Sequence, residues 1–458
     1  MLEYATAEQL AEGLRGRVLT PEHADYDDAR SVWNGRIDRR PALIAQCTGV
    51  ADVITCVDFA REHRLLLSIK GGGHHVAGTA VGDDALMIDL SPMKGITVDP
   101  EARTAHVQAG VTIGDLDHET QVFGLAAPLG DCSGVGISGL TLGGGIGFLS
   151  RAHGLTADNL LAAEVVTADG RLVRASETEN ADLFWAIRGG GGNFGVVTAF
   201  EFRLHKLGPE VLTAQIFHPL EDAGQVLRFY RDFMADAPDE VTSFAVLLRV
   251  PPAPPFPEEY HGKAAVSLFA CYSGPAEDGK AALEPLSEFG NPIVNMIVPM
   301  EYTVLQQSFD PATPSGARYY WSSDYLHKLS DEAIDTIVSC IEPFPGDLTT
   351  VALMEMGGAI KRKDASATAF PHREAGYDFN VWSGWFDPSA DDQIVEWVNG
   401  FREAMAPYTT GGRNVNMISS AAAKWSRAAY GHHYERLAEI KRTWDPHNVF
   451  RVNHNIAP

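Results

Sequence analysis

Short apolar runs alternate with amphipathic stretches through the first 205 or so residues. Runs rich in β-branched residues predict strands, and these are ALMIDL, TAHVQAG, LAAEVVTADG and GVVTAFEFRL. Between them, Val50 to His63 carries apolar residues at helical spacing and predicts an amphipathic helix. This alternation is typical of an α+β or α/β region.

After Leu207 the pattern changes to longer strands separated by helices. The predicted strands are VLTAQIFH, TSFAVLLRV, KAAVSLFACY and TTVALMEMGG, and the predicted helices are Ala223 to Met234, Asp331 to Ile341 and Gln393 to Met405. A final stretch from Lys424 holds a helix that ends at Asp445 and Pro446. We therefore predict a first domain over 1–206, a second over 207–419 and a C-terminal segment over 420–458.

Size and charge narrow the possible functions. A chain of 458 residues is long enough for two domains. Sixty acidic and 36 basic residues give a net charge of −24, which disfavours nucleic acid and anionic lipid as partners. No apolar run reaches the roughly 20 residues that span a bilayer, and the N-terminus lacks a basic region followed by an apolar one. These features predict a soluble, cytoplasmic protein.

The cysteines argue against a disulfide framework or a zinc site. There are five of them, an odd number, and none is in a CxxC spacing. Four lie on apolar segments and are expected to be small core residues. Cys132 differs because its neighbours are Gly, Asp and Ser.

Three glycine runs mark the first domain, at 71–73, 143–145 and 189–192. Such runs let backbone N–H groups converge on a phosphate, although tight turns between strands explain any single run equally well. No GxxxxGK[ST] motif is present, and GGGIG lacks the preceding strand and the downstream acid of a dinucleotide-binding βαβ unit. A nucleotide cofactor bound by another kind of loop is the hypothesis that remains.

Six segments in order give the chain a specific resemblance. They are RPALIAQCTGVADVITCVDFARE, IKGGGHHVAG, GDCSGVGISGLTLGGGIGFLSRAHGLTADNLLAAEVVTADG, DLFWAIRGGGGNFGVVTAFEFRL, TAFPHRE and YGHHYERLAEIKRTWDPHNVF. Across nearly its whole length the chain resembles the berberine-bridge-enzyme-like oxidases of the vanillyl alcohol oxidase superfamily. The resemblance implies an α+β fold, with a PCMH-type FAD-binding domain and a substrate domain whose antiparallel sheet is covered by helices.

The resemblance also implies a covalently bound FAD. In the family, the histidine after the first glycine run is bound to the flavin 8α carbon, which corresponds to His74. A subset of members binds flavin C6 through a cysteine at the position of Cys132, so we expect attachment at both residues. The sequence by itself leaves a surface-loop histidine or a metal-binding pair with His75 open, but no carboxylate ligand set lies nearby and no metal is expected.

Further FAD contacts follow from the same resemblance. They are Lys70, Gly71, Gly72, Gly73, Gly78, Gly136, Gly139, Gly143, Asn159, Gly195 and Val197. Lys70 departs from the arginine that is usual in the family, so the charge that compensates pyrophosphate is kept and bidentate geometry is lost. Val135 matches a position that lines the approach of oxygen, where valine accompanies oxidase behaviour, although plain packing also explains it.

The substrate side is less well defined. Relatives use as base either a tyrosine of a C-terminal YYG segment, which matches Tyr430, or a Glu on the strand after FPHR, where Asn380 stands. Tyr430 is the candidate base, and its pKa would have to be lowered by a neighbour such as Arg427. A packing role for Tyr430 is the alternative.

The leading hypothesis is an FAD-dependent oxidase that converts a secondary alcohol or sugar hemiacetal to a ketone or lactone and reduces O2 to H2O2. Its partners would be a small sugar, alcohol or natural product and O2. Oxidation of C–N or activated C–H bonds, a dehydrogenase with another acceptor, and a flavin-binding protein without catalysis are the alternatives.

Overall fold

The computed structural model describes residues 4–346 and 348–458. The first three residues of the predicted first domain, and residue 347 of the second, lie outside the described part.

Residues 4–206 form three sheets with helices packed against them. The strands are β1 (Arg17–Leu19), β2 (Leu43–Gln46), β3 (Leu67–Lys70), β4 (Leu86–Asp89), β5 (Ile96–Asp99), β6 (Thr104–Gln108), β7 (Leu125–Ala126), β8 (Leu160–Val166), β9 (Leu172–Ser176), β10 (Val196–Arg203) and β11 (His205–Lys206). The helices are α1 (Tyr4–Glu12), α2 (Tyr26–Arg30), α3 (Val50–His63), α4 (Ile113–Gln121), α5 (Ile137–Leu142), α6 (Ser150–His153) and α7 (Ala181–Ile187).

The longer strands of this part form two separate sheets. One sheet has the order β1-β2-β4-β3, in which β4 pairs parallel with β2 and β3. An antiparallel sheet has the order β5-β6-β10-β8-β9, and β11 pairs with β7. The predicted helix α3 is confirmed, and its residues Val53, Cys56, Val57 and Ala60 are buried in the core. Because β3 ends at Lys70, the first glycine run begins at the end of this strand.

The second part is built on one large sheet. Its strands are β12 (Glu210–Pro219), β13 (Val241–Arg249), β14 (Ala264–Tyr272), β15 (Val294–Glu301), β16 (Arg318–Leu326), β17 (Thr350–Glu355) and β18 (Tyr377–Trp385). Its helices are α8 (Ala223–Asp236), α9 (Ala276–Glu288), α10 (Tyr302–Leu305), α11 (Asp331–Cys340), α12 (Ala359–Arg362) and α13 (Asp391–Met405), and α14 (Ala423–Tyr430) and α15 (Tyr434–Trp444) follow.

This sheet is antiparallel throughout, with the order β15-β12-β14-β13-β17-β18-β16. Because side chains alternate along a strand, β13 buries Ala245 and Leu247 beneath helices α8, α9, α11 and α13 and turns Phe244, Val246 and Leu248 to the opposite face. The predicted α+β fold with an antiparallel sheet covered by helices is confirmed.

The last segment packs against the first sheets rather than the second. α15 contacts α7, and Ile440, Phe450 and Ile456 join the core that contains β8 and β10. The buried Lys441 ammonium donates to the carbonyls of Asn193 (2.6 Å) and Phe450 (2.9 Å) and to the Asp445 carboxylate (2.7 Å). These bonds hold the segment beside the third glycine run. Within the described residues, no helix is both long enough and apolar enough to cross a membrane.

Candidate active site

A cavity of about 330 Å³ lies between the glycine loops and the face of the large sheet opposite helices α8, α9, α11 and α13. The first part of the chain contributes Gly71, Gly72, Gly73, His74, Cys132, Val135, Gly136, Gly139, Gly143, Gly195 and Val197. The sheet contributes apolar and aromatic residues, which are Phe244, Val246, Leu248, Tyr319, Trp321 and Trp382. Tyr430, Phe450 and His454 complete the wall. Most residues expected to contact FAD are therefore gathered around one space.

The glycines of the cavity serve two physical purposes. A Cβ on Gly72 would lie 2.5 Å from the backbone nitrogen of Gly136, so these two loops pack backbone against backbone. A Cβ on Gly139 or Gly192 would meet no protein atom within 4 Å, although both residues line the cavity. Nothing in the protein requires glycine at these two positions, which fits a wall shaped to a bound cofactor such as FAD.

A Gly139→Ala variant should fold normally and lose FAD. Alanine ordinarily stabilises a helix by about 1 kcal/mol relative to glycine, and Gly139 lies in α5. We expect an unchanged or higher melting temperature with at least a tenfold lower flavin-to-protein ratio, measured by absorbance. Gly400→Ala in α13 is the matched control, since its Cβ also meets no atom within 4 Å and lies away from the cavity. Full flavin content in Gly139→Ala would contradict this explanation.

His74 lies at the cavity wall against an aromatic stack. Its ring packs on Trp33 at 5.3 Å with 18° between the planes, and Trp33 stacks on Tyr319 at 3.8 Å. Burial lowers the pKa of His74 to about 4, against the opposing effect of Asp310. The imidazole is therefore neutral at physiological pH, with a nitrogen lone pair free to form a covalent bond.

Cys132 faces the cavity with its thiol protonated. The sulfur lies 3.9 Å from Thr313 Oγ1. Burial raises the pKa of the thiol well above its usual range, and Asp131 raises it further. The neighbouring Asp131 carboxylate therefore opposes formation of a thiolate at Cys132.

Three residues expected to contact FAD do not line the cavity. The Lys70 ammonium donates to the carbonyls of Ala29 (2.8 Å) and Ser31 (3.1 Å). The Asn159 amide donates to two carbonyls, and its Oδ1 accepts from His205. Gly78 sits in a turn where a Cβ would collide with Ile37. These three residues are held by contacts within the protein, and their contacts with FAD stay predictions.

Tyr430 reaches the cavity wall but is not activated as a base. Its hydroxyl donates to the carbonyl of His454 (2.9 Å) and accepts from Asn193 Nδ2 (3.2 Å). Burial raises its pKa above the ordinary value, and Arg427 instead pairs with Glu435. The predicted lowering of the pKa is wrong, and the hydroxyl proton is already engaged by a carbonyl.

His75 also lines this cavity, where its ring lies beside that of the buried His454. Its Nε2 lies 2.9 Å from the carbonyl of Val415 and 3.2 Å from Nε2 of His454. Burial lowers the pKa of both imidazoles, so the pair is neutral. In the described residues, no three His, Cys, Asp or Glu side chains come together as metal ligands.

Sequence reasoning missed two carboxylates, Asp131 and Asp378. They line a second cavity of about 10 Å³ beside the first, here called the acidic niche. Its walls are Asp131, Ile146, Phe244, Ala352, Met354, Asp378, Asn380, Trp382 and Met417. Burial raises the pKa of each carboxyl to about 6. Two features of the sequence pointed to these carboxylates. Asp131 directly precedes Cys132, and Asp378 shares a strand face with Asn380 and Trp382.

The fold and the cavity define a flavin-dependent oxidoreductase. Residues 41–176 match the FAD binding domain model, and residues 408–457 match the berberine and berberine-like model. The FAD-linked oxidoreductase YgaK of Bacillus subtilis (strain 168) is 33% identical over 97% of this chain and 97% of its own length. The chain belongs to the berberine-bridge-enzyme-like FAD-linked oxidoreductases with a PCMH-type FAD-binding domain, which confirms the predicted family and enzyme class.

Two further relatives are named for different substrates. The (R)-6-hydroxynicotine oxidase of Paenarthrobacter nicotinovorans is 30% identical over 97% of each chain. The solved structure of a chitooligosaccharide oxidase matches with a TM-score of 0.86 at 25% identity, covering 99% of each chain. The family thus includes oxidases named for an amine and for a sugar.

Proposed function

We propose that this protein is an oxidase that holds FAD through both His74 and Cys132 and oxidises a CH–OH or CH–NH group of a small organic substrate. Bound FAD would supply the hydride acceptor for the substrate carbon and the electrons that reduce O2 to H2O2. The observation that carries the proposal is the single cavity that joins the glycine loops, His74 and Cys132 to an aromatic sheet face. Val135, which also lines this cavity, supports O2 as the acceptor.

The residues around the cavity would have three different roles: attaching the cofactor, excluding water and accepting a proton. His74 and Cys132 would fix the cofactor at the wall, and the apolar residues of β13 and β16 would exclude water from the substrate. Removal of hydride from a CH–OH or CH–NH carbon also releases a proton, which needs an acceptor nearby. The carboxylates of Asp131 and Asp378, whose pKa values are about 6, are ionised at neutral pH and can take that proton.

Oxidation of a secondary alcohol or sugar hemiacetal is the first candidate reaction, and a CH–NH substrate is the second. One observation favours the second. Among the described residues that line the two cavities there is no Lys or Arg, while there are two carboxylates. A cationic amine would complement this charge, and a relative that is 30% identical is named for its action on an amine.

Anaerobic mixing of the purified enzyme with panels of sugars, secondary alcohols and amines tests the function. A substrate should bleach the flavin absorbance, and admitting air should restore it with release of H2O2. If no compound bleaches the flavin, the protein binds flavin without catalysis. If the flavin is bleached but air does not restore it, the protein is a dehydrogenase with another acceptor.

Replacing Tyr430 with Phe should affect stability more than catalysis. The variant loses the hydrogen bond to the carbonyl of His454, which costs about 1 kcal/mol of unfolding free energy. Because the hydroxyl is not activated, the rate of anaerobic flavin reduction should change less than about threefold. Tyr434→Phe, which removes a hydroxyl outside the cavity, is the control. A loss of a hundredfold or more in Tyr430→Phe would restore this residue as the base.

A further inference from the structure

The acidic niche contains a buried hydrogen-bond acceptor that has no partner among the described residues. Asp378 and Asn380 are each 4% exposed, and Oδ1 of Asn380 has no hydrogen-bond partner in the described part of the chain. Asp378 accepts long hydrogen bonds from Ser323 Oγ (3.3 Å) and Asn414 Nδ2 (3.2 Å), and the neighbouring Asn380 side chain also interacts with it. A buried acceptor without a partner is costly, so this position favours a ligand that donates.

The charge of the niche is also uncompensated. No Lys or Arg is among the described residues that line it. Arg413 is directed to Asp324, with Nη2 3.1 Å from Oδ1, and also donates to the carbonyl of Ser323. Two carboxylates at an apolar site without a cation favour a positively charged occupant.

The size of the niche limits that occupant. About 10 Å³ is close to the space of a single water molecule. A sugar ring or a guanidinium is too large, whereas an ammonium group fits and offers up to three donors. The ring of Trp382 at the wall adds an aromatic surface that attracts cations.

We propose that the acidic niche binds the protonated amino group of the substrate, so that the enzyme acts on a basic amine or amino alcohol rather than on a neutral sugar or a carboxylate. This inference rests on the proposed function, because it places the substrate in the adjoining cavity. Asp131 lines both cavities and directly precedes Cys132, so an amine seated here lies beside the proposed cofactor attachment.

A hydroxyl group is the competing occupant. It could donate to Asn380 Oδ1 and accept from Nε1 of Trp382, which also has no partner among the described residues. A hydroxyl leaves both carboxylates without a counter-charge, and an ammonium does not. The two occupants therefore differ in how their binding depends on pH.

The titratable groups around the niche determine whether ammonium binding strengthens or weakens as the pH falls. Asp378 faces Asp324 of β16, which is paired with Arg413, while Asp131 faces Asp310 and the Cys132 thiol. Since the pKa values of Asp131 and Asp378 are about 6, ammonium binding should be strongest above pH 7 and weaken about tenfold per pH unit below 6 for each carboxyl that is protonated. Binding of a neutral hydroxyl should not weaken in this way.

Calorimetric titration of the flavin-loaded enzyme under argon with benzylamine, benzyl alcohol and benzoate tests the proposal. The three compounds share a ring and differ in the charge of the head group. Benzylamine should bind at least tenfold more tightly than benzyl alcohol at pH 7.5, and benzoate most weakly. Equal binding of amine and alcohol, binding of the alcohol alone, or a niche that retains only water overturns the proposal.

Variants assign the effect to the niche. Asp378→Asn should weaken benzylamine at least tenfold and leave benzyl alcohol unchanged, and Asp131→Asn is a second variant that should act in the same direction. Asp117→Asn removes another buried carboxyl that does not line either cavity, and it should change neither affinity. Unchanged benzylamine affinity in both niche variants overturns the proposal. Selective amine binding without flavin reduction by any compound would instead refute the oxidase function and leave the niche assignment standing.

Discussion

The Cys132→Ala enzyme is expected to keep its FAD covalently bound, and the His74→Ala, Cys132→Ala double variant to release all of it on acid denaturation. The neutral imidazole of His74, with a pKa of about 4, is ready to bond without help from a base. The protonated thiol of Cys132 is not, so its bond is expected to depend on prior placement of the cofactor.

Mass spectrometry of the denatured chain measures this directly, together with the absorbance spectrum of the native enzyme. Cys132→Ala should retain the mass of one FAD and shift the flavin absorbance, because one substituent of the ring is lost. Cys340→Ala, a change at a half-buried cysteine in α11, is the matched control and should alter neither. An unaltered spectrum in Cys132→Ala, or complete loss of covalent flavin, would disprove attachment at two points.

Asp378→Asn is expected to slow flavin reduction by a good substrate by about 10²- to 10⁴-fold, the usual contribution of a positioned proton acceptor. In the wild type, kcat/KM should rise with pH through about 6 as the carboxyls of Asp131 and Asp378 ionise. Rapid-mixing measurements between pH 5 and 8 would follow both effects. Asp117→Asn should keep the wild-type profile, because Asp117 lies at α4 beside Gln306 and away from the cavity. A wild-type rate in Asp378→Asn would remove this carboxylate from the reaction.

Thermal unfolding separates a catalytic loss from a folding defect. Burial raises the pKa of Asp378 from 3.8 to about 6, so ionising it costs the folded state. That cost is absent below about pH 4, grows between about pH 4 and 6, and stays constant above that range at no more than about 3 kcal/mol. Asparagine cannot ionise, so the variant should be at least as stable as the wild type at pH 7. A slow but stable enzyme is therefore the expected result.

Local patterns were sufficient to predict most of the elements. The helical spacing of Val50 to His63 gave α3 with both ends correct, and the apolar runs after Leu207 gave β12, β13, β14 and β17. The order of six motifs gave the family and, through it, the α+β fold. These features depend on periodicity and on contiguous residues, which a single sequence displays.

The environment of the site could not be predicted in the same way, because it depends on contacts between distant segments. Tyr430 receives a hydrogen bond from Asn193, 237 positions earlier, and donates to the carbonyl of His454. The Lys70 ammonium donates to the carbonyl of Ala29 in α2 and to that of Ser31 just after this helix. The raised pKa values of Asp131 and Asp378 come from burial, which no local pattern around either residue reports.

The anchoring of the C-terminal segment by Lys441 makes the cavity wall depend on a small set of buried polar contacts. Phe450, Val452, Asn453 and His454 form part of that wall, and they follow the helix that carries Lys441. The glycine loops lie more than 250 residues earlier in the chain, so the two sides of the cavity meet only in the folded protein. Binding of the proposed FAD would therefore need the C-terminal segment in place as well as the glycine loops.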